Sequence, residues 1–145
     1  MKDYSKVLIA VDLDPSSQKL LIQKALSLKE SCPCDLYLVH SVEQISSYGA
    51  AYGVAAGAEI EDTLLDSAKN AMRKLAEQLN LPSDRVIIKV GPPKAIILEE
   101  AERLKVDLII VGSHGRHGIR LLLGSTANAV LHGATCDVLA VRIKD

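Results

Sequence analysis

The sequence predicts an α/β fold, a single doubly wound domain spanning residues 1–145, in which four main helices cover a five-stranded parallel sheet. Short apolar runs bounded by turn residues alternate with longer stretches of helical period, as in such folds. The 145 residues are the length of one ordinary domain, and 48% of them are hydrophobic. Phe and Trp are absent, so we expect an aliphatic core, typical of helices packed on a parallel sheet.

The first predicted strand runs from Lys6 to Val11 and is followed by a helix. Asp14 and Pro15 begin this helix, since proline is favoured at the first helical position, and it continues to about Ser31. Its predicted inner face consists of Leu20, Leu21, Ala25, Leu26 and Leu28.

The second strand is predicted from Asp35 to Val42 and precedes a long loop. This loop, from Gln44 to Gly57, is rich in Ser, Gly, Ala and Tyr, a composition compatible with a lid. A helix is expected from about Ala58 to Leu79. Apolar residues at steps of three and four predict that it lies along the sheet, namely Ile60, Leu64, Ala68, Ala71, Met72 and Leu75.

The second half of the chain repeats the strand and helix pattern. A strand is predicted from Arg85 to Val90, and the two prolines after Gly91 lead into a helix from about Lys94 to Leu104. The core side of that helix is set by Ile97, Leu98 and Ala101. The remaining elements are a strand from Val106 to Val111, a helix from about Ser125 to His132 and a strand from Asp137 to Ile143.

Charge and composition argue against two classes of partner. With 17 basic and 18 acidic residues and 3% aromatics, the chain lacks the positive field and stacking platforms of a nucleic-acid-binding protein. No apolar run approaches the roughly 20 residues of a membrane span, and the N-terminus resembles neither a signal peptide nor an anchor. We therefore expect a cytoplasmic protein that binds neither nucleic acid nor membrane.

The most informative segment runs from Val111 to Thr126, where a strand gives way to a helix. Glycines at 112, 115 and 118 would allow a ligand to approach the main chain. Gly124, Ser125 and Thr126 bring N–H groups and hydroxyls to a helix start, which favours an anion. Open parallel sheets bind ligands where strands end. The segment predicts a phosphate site, with simple turn chemistry as the alternative.

Two further strand ends are candidates for ligand contacts. Asp12 follows the first strand, where a carboxylate could accept hydrogen bonds from both hydroxyls of a ribose. The alternative is that Asp12 caps the following turn or helix. Ser41 ends the second strand, where backbone groups could read the edge of a flat base. Arg116 lies near the predicted phosphate site and could neutralise its charge, with surface solvation as the alternative.

No catalytic or metal-binding constellation is evident in the sequence. It contains no P-loop and no nucleophile elbow. Ser113 and His114 are not expected to act as nucleophile and base, because adjacent residues leaving a strand point in different directions. His114 and His117 lack a clear third ligand for zinc. We expect no catalytic residue and no metal held by the protein.

Four segments resemble the universal stress protein family, and together they cover nearly the whole chain. They are Ile9-Ala-Val-Asp12, Leu38-Val-His-Ser-Val42, the run from Asp107 to Gly115, and Leu123-Gly-Ser-Thr126 followed by the run from Cys136 to Val141. The resemblance implies a five-stranded parallel sheet of the adenine nucleotide alpha hydrolase-like kind and a cytoplasmic location. It also implies a homodimer in which the last strand, about Asp137 to Ile143, pairs with its mate.

One branch of this family binds ATP or related adenine nucleotides. Its pattern resembles Gly-x2-Gly-x9-Gly-[Ser/Thr], which Gly112, Gly115, Gly124 and Ser125 match, except that eight residues fill the second gap here. By this resemblance Asp12 would hold the ribose, Ala10 and Val111 would border the base, and the Ser41 main chain would hydrogen-bond it. The predicted nucleotide site is completed by Val11, His114, Arg116 and Thr126.

The resemblance thus implies a stress-response sensor or regulator that binds ATP, ADP or AMP. Mg²⁺ would accompany ATP through phosphate oxygens. Without a general base or an arginine finger, hydrolysis would be slow at most. The alternative is a nucleotide-free homodimeric interaction module in which the glycine segment is only a turn.

Overall fold

The structure is a computed structural model that describes residues 4–31, 33–42, 54–114 and 124–143, with only the backbone of residues 16, 54–58 and 114. Parallel strands alternate with helices along the described chain. The elements are β1 (Lys6–Ala10), α1 (Pro15–Ser31), β2 (Asp35–Val42), α2 (Val54–Gln78), β3 (Val86–Val90), α3 (Pro93–Leu104), β4 (Leu108–His114), α4 (Ser125–Gly133) and β5 (Asp137–Ile143). A short 3-10 turn, Ser83–Arg85, precedes β3.

The strands form one parallel sheet in the order β3-β2-β1-β4-β5. The chain moves outward from β1 to β2 and β3, and then returns to place β4 on the other side of β1. The helices that follow β1 and β4 therefore lie on opposite faces of the sheet, and open α/β sheets form a crevice between two such connections, at the carboxyl ends of the strands. The predicted doubly wound α/β fold is confirmed.

Both faces of the sheet are covered by aliphatic side chains. Successive residues of a strand point to opposite faces, so β1 sends Val7 and Ile9 to one face and Leu8 and Ala10 to the other. The first face packs against Leu21, Ala25, Met72 and Leu75 of α1 and α2. The second packs against Ile96, Ile97, Ala101, Ala127 and Val130 of α3 and α4. Burial on both faces explains why the residues from Val7 to Ala10 of the central strand β1 are all apolar.

Helix α1 packs on the sheet largely as predicted. Leu21 and Ala25 are buried, and Leu20 and Leu28 are partly buried against the same core. The prediction for Leu26 was wrong, because 41% of this residue is exposed. It follows Ala25 directly, and one step along a helix rotates a side chain by about 100°, away from the buried stripe.

Helix α2 begins four residues earlier than predicted, at Val54 instead of Ala58. The last residues of the predicted loop from Gln44 to Gly57 are therefore helical, and the part of that loop before residue 54 lies outside the described residues. The side chains that pack on the sheet are Ala68, Met72 and Leu75, with Ala71 partly buried.

The expected contact of Ile60 and Leu64 with the sheet is wrong, since these residues are 49% and 39% exposed. A helix of 25 residues is about 37 Å long, whereas a strand of five residues such as β3 spans about 17 Å. The first turns of α2 therefore extend beyond the sheet. Within the described chain, no helix is both long and apolar enough to cross a membrane.

The amino end of the sheet is tied together by the carboxylate of Asp107. Its Oδ2 accepts hydrogen bonds from the Ser5 N–H at 2.9 Å and the Ser5 hydroxyl at 3.0 Å, and its Oδ1 accepts one from the Lys6 N–H at 3.0 Å. Burial alone would raise the pKa of Asp107, but these hydrogen bonds outweigh it and hold the pKa below its ordinary value of 3.8. Asp107 thus fixes the start of β1 beside β4.

Glu100 is a buried carboxylate on α3, with 2% of the residue exposed. Arg103 Nη2 donates to its Oε1 at 2.9 Å, Arg103 Nε donates to its Oε2 at 3.0 Å, and Lys89 Nζ donates to Oε2 at 3.3 Å. Hydrogen bonds from Arg103 hold the pKa of Glu100 below its ordinary value of 4.5, against the opposing effect of burial. The cluster joins α3 to β3.

Replacing Glu100 should reveal the stabilisation that this cluster provides. Because the folded pKa is depressed, the stabilisation is present above the ordinary value of 4.5 and is lost as the pH falls through the lowered value. We expect Glu100→Gln to reduce the free energy of unfolding by about 1 kcal/mol at neutral pH, since both basic partners are about half exposed. Urea unfolding measures this, and the difference from wild type should shrink in acid. Glu99→Gln, at the exposed neighbouring position, is the control, and an equal effect there would contradict the assignment.

Candidate functional site

A crevice of about 210 Å³ opens at the carboxyl ends of β1, β2 and β4, beside the starts of α3 and α4. It lies where the chain reverses its direction of travel across the sheet. The residues that line it are Ala10, Val11, Asp12, Val39, His40, Ser41, Pro93, Ile97, Val111, Gly112 and Thr126. Most of the residues predicted for the nucleotide site are thus brought together from four separate parts of the chain.

The deep walls of the crevice are apolar. Ala10, Val39, Ile97 and Val111 are each less than a tenth exposed and belong to the core layer between the sheet and α3 and α4. Ala10 and Val111 are among the residues predicted from the sequence for this site, whereas Val39, Ile97 and Pro93 are not. Pro93 and Ile97 could have been found, because the chain after β3 returns across the sheet and brings the start of α3 near the ends of β1 and β2. Such walls suit a flat, weakly polar group.

Asp12 lies at the rim of the crevice and is exposed. Its Oδ1 accepts hydrogen bonds from the Asp14 N–H at 3.0 Å and from the hydroxyl of the buried Ser17. Leu13, which lies between Asp12 and Asp14, has φ of 64°, so the chain turns sharply at this residue. Oδ1 of Asp12 therefore caps the turn, which was the alternative role predicted for this residue. The same bonds fix the direction of the carboxylate, which is useful for a ligand contact.

The second rim of the crevice is formed where β1 and β2 part. The Val11 N–H donates to the Val39 carbonyl at 2.8 Å, and the His40 Nδ1 lies 2.6 Å from the Val11 carbonyl. Since a carbonyl oxygen only accepts, Nδ1 carries the proton in this contact. Ser41, the next residue, also lines the crevice. His40 is not among the site residues predicted from the sequence, although a polar residue between apolar residues of a strand is a signal.

Strand β4 extends further than predicted, to His114 instead of Val111, because Gly112, Ser113 and His114 pair with the end of β5. The role expected for Gly112 was close approach of a ligand. A Cβ at Gly112 would lie 3.3 Å from Cγ1 of Ile143, on the face covered by α1. The missing side chain therefore relieves packing between β4 and β5, while the backbone of Gly112 lines the crevice.

Ser113 connects the end of β4 to the start of α4. It is 6% exposed, and its Oγ accepts a hydrogen bond from the Gly124 N–H at 3.1 Å. Gly124 is the N-cap of α4, with φ of −58° and ψ of 154°, and its carbonyl accepts from the Asn128 N–H at 2.9 Å. Ser113 was dismissed as a nucleophile from the sequence, and its positioning contact was missed.

The start of α4 faces the crevice through Thr126, whereas Ser125 is exposed and does not line it. The first N–H groups of a helix have no partner within the helix and attract anions. Gly115, Arg116 and the side chain of His114 lie outside the described residues. The part of the predicted phosphate site that the structure describes therefore consists of Gly124, Ser125 and Thr126.

In the described part of the chain, no three His, Cys, Asp or Glu side chains come together as a metal site. The described lining contains one carboxylate, Asp12, and one imidazole, His40, both of which bond to backbone groups nearby. The arrangement is an apolar slot between a carboxylate rim and a helix N-terminus. Its chemistry is that of binding a molecule with a flat end, hydroxyls and an anionic end.

Comparisons with known proteins agree with this architecture. A model of the universal stress protein family matches residues 3–142. The universal stress protein A homolog 2 of Coxiella burnetii is 62% identical over 144 residues, which cover 99% of each chain. The universal stress protein UspA from Lactobacillus plantarum has the same fold, with a TM-score of 0.80 at 24% identity over 98% of this chain and all of that one.

Two solved structures with this fold contain nucleotides. A universal stress protein in complex with cAMP has a TM-score of 0.60 at 21% identity and covers 99% of this chain and 100% of its own. The Arabidopsis thaliana family member At3g01520, with AMP bound, has a TM-score of 0.56 at 19% identity over 97% of this chain and 92% of its own. The family model, the close relative and the fold lead to one conclusion: this chain belongs to the universal stress protein family.

Proposed function

We propose that this stress-response protein binds an adenine nucleotide in the crevice and acts as a sensor or regulator, rather than as an efficient enzyme. One observation carries the proposal: an apolar slot, a carboxylate and a helix N-terminus lie around a single crevice. These are the chemical complements of a base, a ribose and a phosphate chain. Nucleotides in two solved structures of similar fold support it.

The base would occupy the apolar slot. Ala10 and Val111, on adjacent strands, provide a smooth wall, and Ile97 closes it from α3. The main chain of Ser41 would bond the edge of the base, which a serine at this position does not disturb. A ring held between aliphatic side chains gains from burial of its faces.

The ribose would lie against Asp12. Its carboxylate direction is already fixed by the Asp14 N–H and the Ser17 hydroxyl. Two sugar hydroxyls approaching such a carboxylate form charge-assisted hydrogen bonds without the cost of ordering its side chain.

The phosphates would lie over the N-terminus of α4. Gly124 has no side chain to obstruct them, and Thr126 faces the crevice. The bond from the Gly124 N–H to Ser113 holds this helix start in place beside β4. In the proposal, Gly115, Arg116 and His114 lie next to the same phosphates, and Mg²⁺ is held by phosphate oxygens.

The proposed role of the crevice is binding rather than efficient turnover. Phosphoryl transfer to water needs a group that orients the attacking water. The described lining offers Asp12 on the ribose side and His40 between strand ends. Hydrolysis would be slow at most, so occupancy by ATP, ADP or AMP would carry the signal in the cytoplasm.

The proposed assembly is a homodimer through β5. This strand lies at one edge of the sheet, pairs with β4 on its inner side and carries Leu139, which is 40% exposed. An edge strand with exposed apolar residues favours pairing with another strand. Nucleotide occupancy would reach the dimer through β4, which borders both the crevice and β5.

Substitution of Gly124 tests the phosphate contact. The backbone angles of Gly124 are accessible to valine, so Gly124→Val should fold, while its branched side chain would occupy the phosphate space. We expect at least about a tenfold loss of ATP affinity by isothermal titration calorimetry, with Gly124→Ala intermediate. Circular dichroism and thermal melting are the controls for folding. Wild-type protein that binds none of ATP, ADP and AMP would favour the interaction module instead.

Asp12 can be tested by pairing a variant with a modified ligand. Asp12→Asn keeps an oxygen acceptor for the turn but loses the charge that would face the ribose. We expect ATP affinity to fall about tenfold, while the affinity for 2′,3′-dideoxy-ATP, which lacks both hydroxyls, changes little. Asp84→Asn, at an exposed position in the 3-10 turn, is the control. Equal losses for the two ligands would place the ribose elsewhere.

The dimer can be tested at the two edges of the sheet. Leu139→Lys puts a charge on the exposed surface of β5, and we expect it to shift the protein from dimer to monomer in sedimentation-velocity experiments. Val90→Lys makes the same change on β3, at the opposite edge, where the residue is 36% exposed. It should leave the dimer intact. A monomeric wild-type protein would contradict the proposed assembly.

A further inference from the structure

We propose that His40 is a positioning residue that makes the crevice selective for adenine, because its imidazole replaces the last hydrogen bond between β1 and β2 and leaves the Ser41 peptide group facing the ligand. This inference rests on the proposed function and deepens it. The determinant of base selectivity would then be a side chain that does not itself contact the base.

The geometry at the end of the β1–β2 ladder supports this role. The residue pairs of these strands end at Ala10 and Val39, and one further bond joins the Val11 N–H to the Val39 carbonyl at 2.8 Å. In a parallel ladder the next bond would run from the Ser41 N–H to the Val11 carbonyl. In the described strands the Val11 carbonyl instead accepts a hydrogen bond from the His40 Nδ1, at 2.6 Å.

The direction of the Ser41 N–H and C=O groups follows from the regular alternation of backbone groups along a strand. In a strand, the N–H and C=O of one residue point to the same neighbouring strand, and those of the next residue point to the other. The Val39 carbonyl points to β1, and the Val42 carbonyl, three residues later, accepts from the Gly91 N–H beyond β3. Ser41 therefore points its N–H and C=O toward β1, past the point where β1 has ended.

At that point β1 has turned away. Leu13, with φ of 64°, takes the chain out of the sheet and into α1. Ser41 lines the crevice that opens there, alongside Ala10 and Val111. Its peptide groups offer one donor and one acceptor, side by side, to whatever fills the apolar slot.

Adenine matches this pair of groups. Its N1 accepts a hydrogen bond, and the adjacent N6 amino group donates one, so a single residue can satisfy both. Guanine has a donor at N1 and an acceptor at O6, the opposite order, and would leave both peptide groups unpaired in an apolar slot. A polar group that loses water without gaining a partner is costly, so the mismatch would discriminate strongly.

Loss of the imidazole should allow the Ser41 N–H to bond to β1, so that it no longer faces the ligand. Without the His40 donor, the Val11 carbonyl would need another partner, and the Ser41 N–H is the one that a parallel ladder supplies. Once bonded to Val11, that N–H would no longer be available to the base. The helix start at Gly124 would be unaffected, because it is held from β4 by Ser113.

The test compares His40→Leu with His40→Asn, whose side-chain amide can donate a hydrogen bond from near the position of Nδ1. Calorimetry would use ATP, GTP and inorganic tripolyphosphate, which has no base. We expect wild-type protein to prefer ATP to GTP, and His40→Leu to lose about tenfold in ATP affinity and most of that preference. Tripolyphosphate affinity should be unchanged, and His40→Asn should recover most of the preference. His132→Leu, at an exposed residue of α4, is the control.

Amide hydrogen exchange of the ligand-free protein gives an independent readout. The Ser41 N–H should exchange quickly in wild type and His40→Asn, and should become protected in His40→Leu. An unchanged ATP preference in His40→Leu, an equal loss of tripolyphosphate binding, or a protected Ser41 amide in wild type would each overturn the role of His40. Wild-type protein that binds tripolyphosphate but not ATP would overturn it too. If wild-type protein binds neither, with the Ser41 amide exchanging as expected, the proposed function fails and the backbone effect of His40 stands.

Discussion

The crevice depends on one constraint, the pairing of β1 with strands on both of its sides. β2 follows β1 on one side, and β4 returns to the other after the chain has travelled out through β3. The connections at the carboxyl ends of β1 and β4 therefore leave toward opposite faces of the sheet. Neither α1 nor α4 can fill the space between them, and a space that no helix can fill is available to a ligand.

The opposite end of the sheet is where this arrangement is held in register. Asp107 binds the backbone of Ser5 and Lys6 and thereby fixes β1 beside β4 before either strand reaches the crevice. At the carboxyl end of the sheet, Glu100 joins α3 to Lys89 of β3. Hydrogen-bonded carboxylates at both ends of the sheet hold the walls of the slot in fixed positions. A site held in this way loses little entropy when a ligand binds.

Several features of the site are produced by contacts between distant segments, and a local pattern does not identify the partner in these contacts. The absence of a side chain at Gly112 is explained by Ile143 of β5. Ser113 acts through Gly124, and His40 acts through Val11. Ile60 and Leu64 have the spacing of a buried helical face, yet they are 49% and 39% exposed. In each case the deciding neighbour is far away in the sequence or depends on how long another element is.

The sequence by itself determined the α/β class and the order of strands and helices, and it predicted a candidate site at the strand ends where the crevice opens. Apolar periodicity and turn residues are local, and the connection rules for parallel sheets are strict enough to convert them into a topology. Only the tertiary structure decided where β4 ends, which way Asp12 is held and what bonds the Val11 carbonyl. These details depend on hydrogen bonds and packing across the sheet, and such contacts exist only after the strands have come together.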